Sequence, residues 1–545
     1  MNQLIASLAP RGFEERARLE DRYPRRNLPD TALVTRVAPS PTGFVHLGTI
    51  YAAMLNHRLA RQSGGLFYLR LEDTDKKREI SGGLEQILAA LEFYGLSPDE
   101  GPEVGGSYGP YVQSQRAAFY LGYAIDLLRR GRAYPCFAVP EELQALHKRQ
   151  KAAKARPGYY GEYALWRQPP PGQVADRLQK KRPFVLRLRS EGDHRRRQEI
   201  TDKLKGRLQL PENDLDVPLI KSDGLPTYHL AHVVDDYLMG TTVVLRGEEW
   251  LPSLPLHLEL YAALGLPPPA YAHFAPLTVL DEGKKRKLSK RRDAAADIAR
   301  WQASGYPAEA VLEYLTTLAS ADFEPWRAAN PVAPLASFPI TFERLSKSRA
   351  PLLDQKKIDD VSKNVISALP QPDFERQLLA WTKVFDSEFA AVLDADPAYT
   401  ARVLSIEREG AARRKDIAAW SQAKEQYFYF FDSLFQKRLT AAVNEELRDV
   451  DYVERKLACD AMLQELNWLD DQPTWLNKLR QAAARAGYAP DNQTYQQNPG
   501  GYKGSIADFA KIIRVQLTAK NRTPDLYAIM QVMGEQRVRR RLEIA

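Results

Sequence analysis

Residues 32–62 place the tightest constraint on what this chain can fold into. A short β-branched run at 32–38 (ALVTRVA) leads through Pro39-Ser40-Pro41-Thr42-Gly43-Phe44-Val45-His46-Leu47-Gly48-Thr49 into a helical pattern at 48–61, where Ile50, Ala53, Met54 and Ala60 recur with His57 on the same face. Gly64 and Gly65 stop that helix, residues 66–71 (LFYLRL) read as a second strand, and 81–94 as a second helix. Strand, helix, strand, helix predicts a parallel, doubly wound sheet, because successive parallel strands need crossovers and helices then cover both faces.

At 545 residues the chain holds about three to five domains of ordinary size. We expect an α/β architecture: an N-terminal arm over 1–31, the first half of a Rossmann-type catalytic domain over 32–133, and an inserted α+β domain over 134–222. The sheet resumes over 223–275, followed by a connecting domain over 276–360 and an all-α region over 361–545. Proline and glycine punctuation and the charged run at 187–207 predict exposed basic loops in the insert. Apolar periodicity predicts helices over 377–383, 413–435, 453–469 and 506–517.

Lys and Arg exceed Asp and Glu by 77 to 69, a net charge of +8 that suits a polyanionic partner. No run approaches the ~18 apolar residues of a membrane span. The N-terminus mixes Arg11, Arg16 and Arg18 with Glu14, Glu15, Glu20 and Asp21, unlike a signal or transit peptide. Cys136 and Cys459 are the only cysteines, too few for a disulfide framework or a cysteine zinc site. These features predict a cytoplasmic protein with no membrane partner, and we expect a monomer.

Three constellations carry chemistry. The Pro39–Thr49 turn opens a helix whose free N–H groups suit a nucleotide phosphate, with Gly48 allowing close approach and His46 able to donate. Lys287-Leu288-Ser289-Lys290-Arg291, within a basic loop after Gly283, can fold over a triphosphate. Arg36, Ser40, Glu72 and Arg246 fall at strand ends, where open parallel sheets bind ligands; two arginines and a carboxylate there suit an amino acid with two carboxylates and one ammonium.

Pro39–Thr49 resembles the "HIGH" signature of class I aminoacyl-tRNA synthetases, Lys287–Arg291 resembles their "KMSKS" loop, and Arg70-Leu71-Glu72-Asp73-Thr74-Asp75 resembles a strand end of glutamyl-tRNA synthetases. Tyr228-His229-Leu230-Ala231, Val234-Asp235-Asp236 and Leu245-Arg246-Gly247-Glu248-Glu249-Trp250 agree with that family. The resemblance, strong over 32–320, implies ATP-dependent ligation of L-glutamate to the 3′ end of tRNA-Glu through a glutamyl-adenylate. It implies a glutamate site at Arg36, Ser40, Glu72, Tyr228, His232 and Arg246, with His232 standing where many relatives have asparagine. It implies an ATP site at Pro39, His46, Gly48, Thr49, Glu249, Lys287, Ser289 and Lys290, with His46, Lys287 and Lys290 catalytic. Mg²⁺ accompanies ATP, and no structural zinc or resident metal is expected. The alternatives are an enzyme that also charges tRNA-Gln and, more remotely, a small-molecule nucleotidyltransferase or a non-enzymatic RNA-binding paralogue.

Overall fold

The computed structural model describes residues 2–8, 12–75, 78, 80–346, 351–408 and 413–544; Arg11 of the N-terminal arm lies outside them. Two compact units result, Met1–Trp301 with Val311–Asp354, and Gln302–Ala310 with Gln355–Ala545.

In the first unit, β1 (Val34–Val37), α1 (Leu47–Gln62) and β2 (Leu66–Leu69) form the expected crossover, and β1 and β2 pair in parallel from Val34↔Leu66 to Val37↔Leu69. Helices α2 (Gly83–Phe93) and α3 (Ala117–Arg129) follow. The intervening strands are β3 (Ala133–Cys136), β4 (Val185–Leu188), β5 (Arg197–Asp202), β6 (Gly206–Pro211) and β7 (Pro218–Ile220). Then come α4 (Tyr228–Leu238), β8 (Val243–Gly247), α5 (Leu254–Leu264), β9 (Ala270–Phe274) and a hairpin of β10 (Thr278–Asp281) and β11 (Lys284–Lys287). Strands β8 and β9 pair in parallel, and β1 meets β8 through the Thr242 amide, which donates to the Val34 carbonyl at 3.1 Å. From that seam the chain winds outward in opposite senses, to β2 on one side and β9 on the other, so a switch point opens between β1 and β8.

The run at 187–207, expected as exposed loops, instead contains the end of β4 and most of the β5–β6 hairpin. Strand β5 joins β9 in parallel at Asp202↔Tyr271, in the order β6-β5-β9-β8. Only β3, β4 and β7 form the separate antiparallel sheet of the 134–222 segment. Its residues Leu186, Leu188 and Leu219 share one buried cluster with Tyr120 and Leu128 of α3, Leu230 and Val234 of α4 and Leu260 of α5.

The N-terminal arm is a strap on this cluster. Leu4, Leu8, Leu19 and Tyr23 enter it, Arg16 reaches Asp126 at 2.9 Å and the Leu264 carbonyl at 2.6 Å, and Arg26 grips Glu100 at 2.6 Å. Its close approach depends on Gly122, where a Cβ would lie 1.9 Å from the Glu14 carbonyl oxygen.

The second unit is helical around its own buried core. Helices occur at Gln371–Phe385, Tyr452–Glu465 and Ile506–Thr518, near the expected positions. The single helix expected over 413–435 is broken: a short helix Ala423–Tyr427 gives way to a 3₁₀ turn at Phe428–Phe430 before Asp432–Glu446 begins. Tyr427, Phe428, Tyr429, Phe430 and Phe431 are all buried, and five consecutive aromatics cannot all lie on one stripe of an amphipathic helix. Arg541 is spent inside the unit, on Asp432 and the Tyr429 and Leu517 carbonyls, each at 2.6 Å. Among the described residues no helix is long and apolar enough to cross a membrane.

Three histidines, His232 buried and His57 and His229 half-buried, make the first unit acid-sensitive. Burial, with Arg61 and Arg246 respectively, pushes His57 and His229 down to about 4, and burial pushes His232 down to about 3 against the pull of Asp236. As pH falls below the ordinary histidine value of about 6.5, the unfolded chain takes up protons that the folded unit refuses. Stability is therefore complete above about pH 6.5 and declines toward pH 4, so the thermal midpoint should fall across that window. A midpoint unchanged from pH 7 to 4.5 would contradict these neutral histidines. Gly122→Ala should separately cost about 1–3 kcal/mol by overpacking and make the 12–23 segment more susceptible to limited proteolysis, both absent if the strap carries no load.

Candidate active site

A cleft of about 460 Å³ opens at the switch point, between the ends of β1 and β8. It brings together eleven of the residues singled out in the sequence: Arg36, Pro39, His46, Gly48, Thr49, Glu72, Tyr228, Arg246, Glu249, Lys287 and Lys290. Ser40, His232 and Ser289 do not line it. Ser40 is exposed, His232 is fully buried one layer behind, and the Ser289 amide is committed to the Asp293 carboxylate at 2.7 Å.

His46 caps α1, its Nδ1 accepting from the Gly48 amide at 2.8 Å. That bond leaves the ring hydrogen on Nε2. Burial, then Lys290 and Lys287, push its pKa down to about 4, so a neutral donor persists at neutral pH. Gly48 is required here, because a Cβ would stand 2.9 Å from His46 Nδ1. The lysines reach the cleft from the segment after β10: Lys287 ends β11 and binds Glu249 at 2.7 Å, while Lys290 donates to the Thr42 carbonyl at 3.2 Å over the Phe44 ring. Leu288 between them is buried. Both ammonium groups thus rest on exchangeable protein acceptors.

The two arginines differ in their surroundings. Arg36 on β1 is ion-paired with Asp236 at 3.2 Å, and Asp236 also takes Arg70 at 2.6 Å and His232 Nδ1 at 3.0 Å. Burial would raise the Asp236 carboxyl, but Arg36 and Arg70 hold it well below the usual range. Arg70 extends to Glu72 at 3.3 Å; for Glu72, burial wins and its pKa is raised. Arg246 on β8 is equally buried, yet among the described residues it donates only to uncharged acceptors: His273 Nε2 at 3.0 Å, the Tyr228 hydroxyl at 3.3 Å, His257 Nδ1 at 3.4 Å and the Trp250 carbonyl at 3.5 Å. Tyr228 packs on Trp250 with ring centroids 4.5 Å apart.

Sequence reasoning assigned no role to Trp250, Asn56 or Phe274, which also line the cleft, nor to His257, His273 and Asp202 behind it. Trp250 was within reach as the apolar end of the Arg246 motif. Asp202 and His273 lie 71 residues apart and carry no local signal. Among the described residues no group of three or more His, Cys, Asp or Glu side chains is placed to hold a metal.

Residues 32–324 match the family model for the catalytic domain of class I tRNA synthetases (E and Q), and residues 501–545 match an anticodon-binding domain model. The chain is 44% identical over 527 residues to a glutamate–tRNA ligase of Clostridium perfringens, covering 96% of each protein. It is 35% identical to one from Thermus thermophilus, over 94% of this chain and 99% of that one. The crystal structure of a glutamate–tRNA ligase from Elizabethkingia meningosepticum in complex with its amino acid superposes with a TM-score of 0.70 at 25% identity, covering 94% of this chain and 98% of that one. With a switch-point cleft that carries both the helix-start turn and the lysine loop, and with likeness over 96% of its length, this chain belongs to the glutamate–tRNA ligase family of class I tRNA synthetases.

Proposed function

We propose that this chain, acting as a cytoplasmic monomer, activates L-glutamate with ATP and transfers the glutamyl group to the 3′ end of tRNA-Glu. The observation that supports the amino-acid specificity is Arg246. Removing a guanidinium from water without a counter-ion is costly, so a buried arginine supplied only with neutral acceptors suits an anion that arrives with the ligand. Arg246 takes the side-chain carboxylate of glutamate, and Arg36, already shared with Asp236, faces the α-carboxylate. Glu72 meets the ammonium, which restores the charge partner that its burial calls for. Tyr228, accepting from Arg246, keeps its own hydrogen for the ligand. His232 acts from behind by holding Asp236.

The amide groups at the start of α1 and the Nε2–H of His46 meet the ATP phosphates, while Lys287 and Lys290 leave Glu249 and the Thr42 carbonyl for the triphosphate. Mg²⁺ brought in with ATP would neutralise phosphate charge; of Glu72 and Glu249, the carboxylates lining the cleft, Glu249 stands beside the lysine loop and would be the one to meet it. The glutamate α-carboxylate oxygen attacks the α-phosphorus in line, the bond to the bridging oxygen breaks, and pyrophosphate departs with its charge held by the two lysines. The 2′-hydroxyl of the terminal adenosine then attacks the acyl carbon and AMP leaves. No protein nucleophile is needed.

Purified protein given labelled glutamate should charge tRNA-Glu, with glutamine inert as a parallel substrate. Charging of tRNA-Gln as well would widen the tRNA range, and no charging by folded protein would overturn the reading. Arg246→Ala should raise the KM for glutamate by about 100-fold while the KM for ATP stays within about threefold. An unchanged glutamate KM would remove Arg246 from the site.

A further inference from the structure

Resting on the reading of Arg246 as the group that meets the glutamate side-chain carboxylate, we infer that Asp202 and His273 are a positioning pair for it: Asp202 locks His273 in the one tautomer that lets it hold Arg246 in place without neutralising its charge.

The proton positions follow from the donors. Arginine only donates, so His273 Nε2, 3.0 Å from Arg246 Nε, carries no hydrogen. The ring hydrogen is therefore on Nδ1 and is donated to Asp202 Oδ2 at 2.6 Å. The other carboxylate oxygen, Oδ1, accepts the Leu204 and Lys205 amides, both at 2.9 Å, which close the β5–β6 turn. Asp202, His273 and Arg246 are all buried. One carboxylate thus ties the hairpin turn to the imidazole on β9 and, through it, to the guanidinium on β8.

The inserted ring also separates charges. An aspartate directly against Arg246 would form an ion pair and compete with the incoming carboxylate, whereas the imidazole conveys orientation and leaves the positive charge available. The opposite side of the guanidinium follows the same rule. His257 Nδ1 accepts from Arg246 at 3.4 Å, which puts its hydrogen on Nε2, facing His229 Nδ1 at 3.1 Å. Burial, then the neighbouring His232 and Arg246, holds the His257 pKa well down, and burial keeps that of His273 lowered against the hydrogen bond to Asp202. A protonated His273 would turn a donor toward Arg246 and break the contact.

Asp202→Asn tests this with little change of shape. The two turn amides demand the amide oxygen at the Oδ1 position, so the new NH₂ faces His273 Nδ1, the ring hydrogen moves to Nε2, and two donors then confront each other. In aminoacylation of tRNA-Glu we expect the glutamate KM to rise about tenfold or more, with the ATP KM within about twofold and the thermal midpoint within a few degrees. Nitrogen-15 spectra of histidine-labelled protein should show the His273 hydrogen moving from Nδ1 to Nε2. A folded variant whose glutamate KM stays within about twofold of wild type, while Arg246→Ala raises it, would overturn the positioning role alone. An unaffected Arg246→Ala would instead overturn the reading beneath it. Should Asp202→Asn not fold, a second pair decides: His273→Gln, which keeps an acceptor for Arg246, should bind glutamate better than His273→Leu by about tenfold, and equal KM values for the two would overturn the inference.

Discussion

Two adjacent carboxylates on α4 hold the catalytic unit together. Successive helical residues point about 100° apart, so Asp235 and Asp236 serve different neighbours. Asp235 faces α3 and the turn before it, taking Arg116 at 2.7 Å, Tyr120 at 2.8 Å and Gln113 at 2.9 Å. Asp236 faces the strand ends and takes Arg36 and Arg70, and Arg70 bridges both carboxylates, 3.7 Å from Asp235. These contacts are buried, where breaking one partner of an ion pair costs about 3–5 kcal/mol and replacing the whole set with apolar groups is often neutral. Such a network acts through geometry: it pins β1, β2, α3 and α4 at the edge where the cleft opens.

The same accounting separates the two arginines of the site. Arg36, Arg70 and Arg116 are matched by Asp235, Asp236 and Glu72. Arg246 stands outside that balance among His273, His257 and Tyr228, and its charge remains available to a ligand. At the other end of the cleft the logic is exchange: Lys287 and Lys290 rest on Glu249 and on a backbone carbonyl, acceptors that a triphosphate can replace.

Much of this was legible in the chain. The β1–α1–β2 unit appeared within a few residues of its bounds, because apolar spacing and paired glycines are local signals. Most of the site residues singled out in advance line one cleft, since strand-end polar residues converge once the sheet is parallel. The β5–β6 hairpin was not legible: its exposed basic side chains read as loop, and its place beside β9 depends on a strand that follows it by about seventy residues. Nor was the break at Phe428–Phe430, where burial of consecutive aromatics overrides helical spacing.

Local chemistry thus settled the class of sheet, the turn that opens α1, the lysine loop and the charge balance, all of which depend on residues close together in the chain. Folding decided which cation keeps its charge. Asp202, His273 and Arg246 are separated by 71 and 27 residues and meet only when β5, β9 and β8 lie side by side. A guanidinium is neutralised or left free by the partners that packing brings to it, and that choice is made in three dimensions.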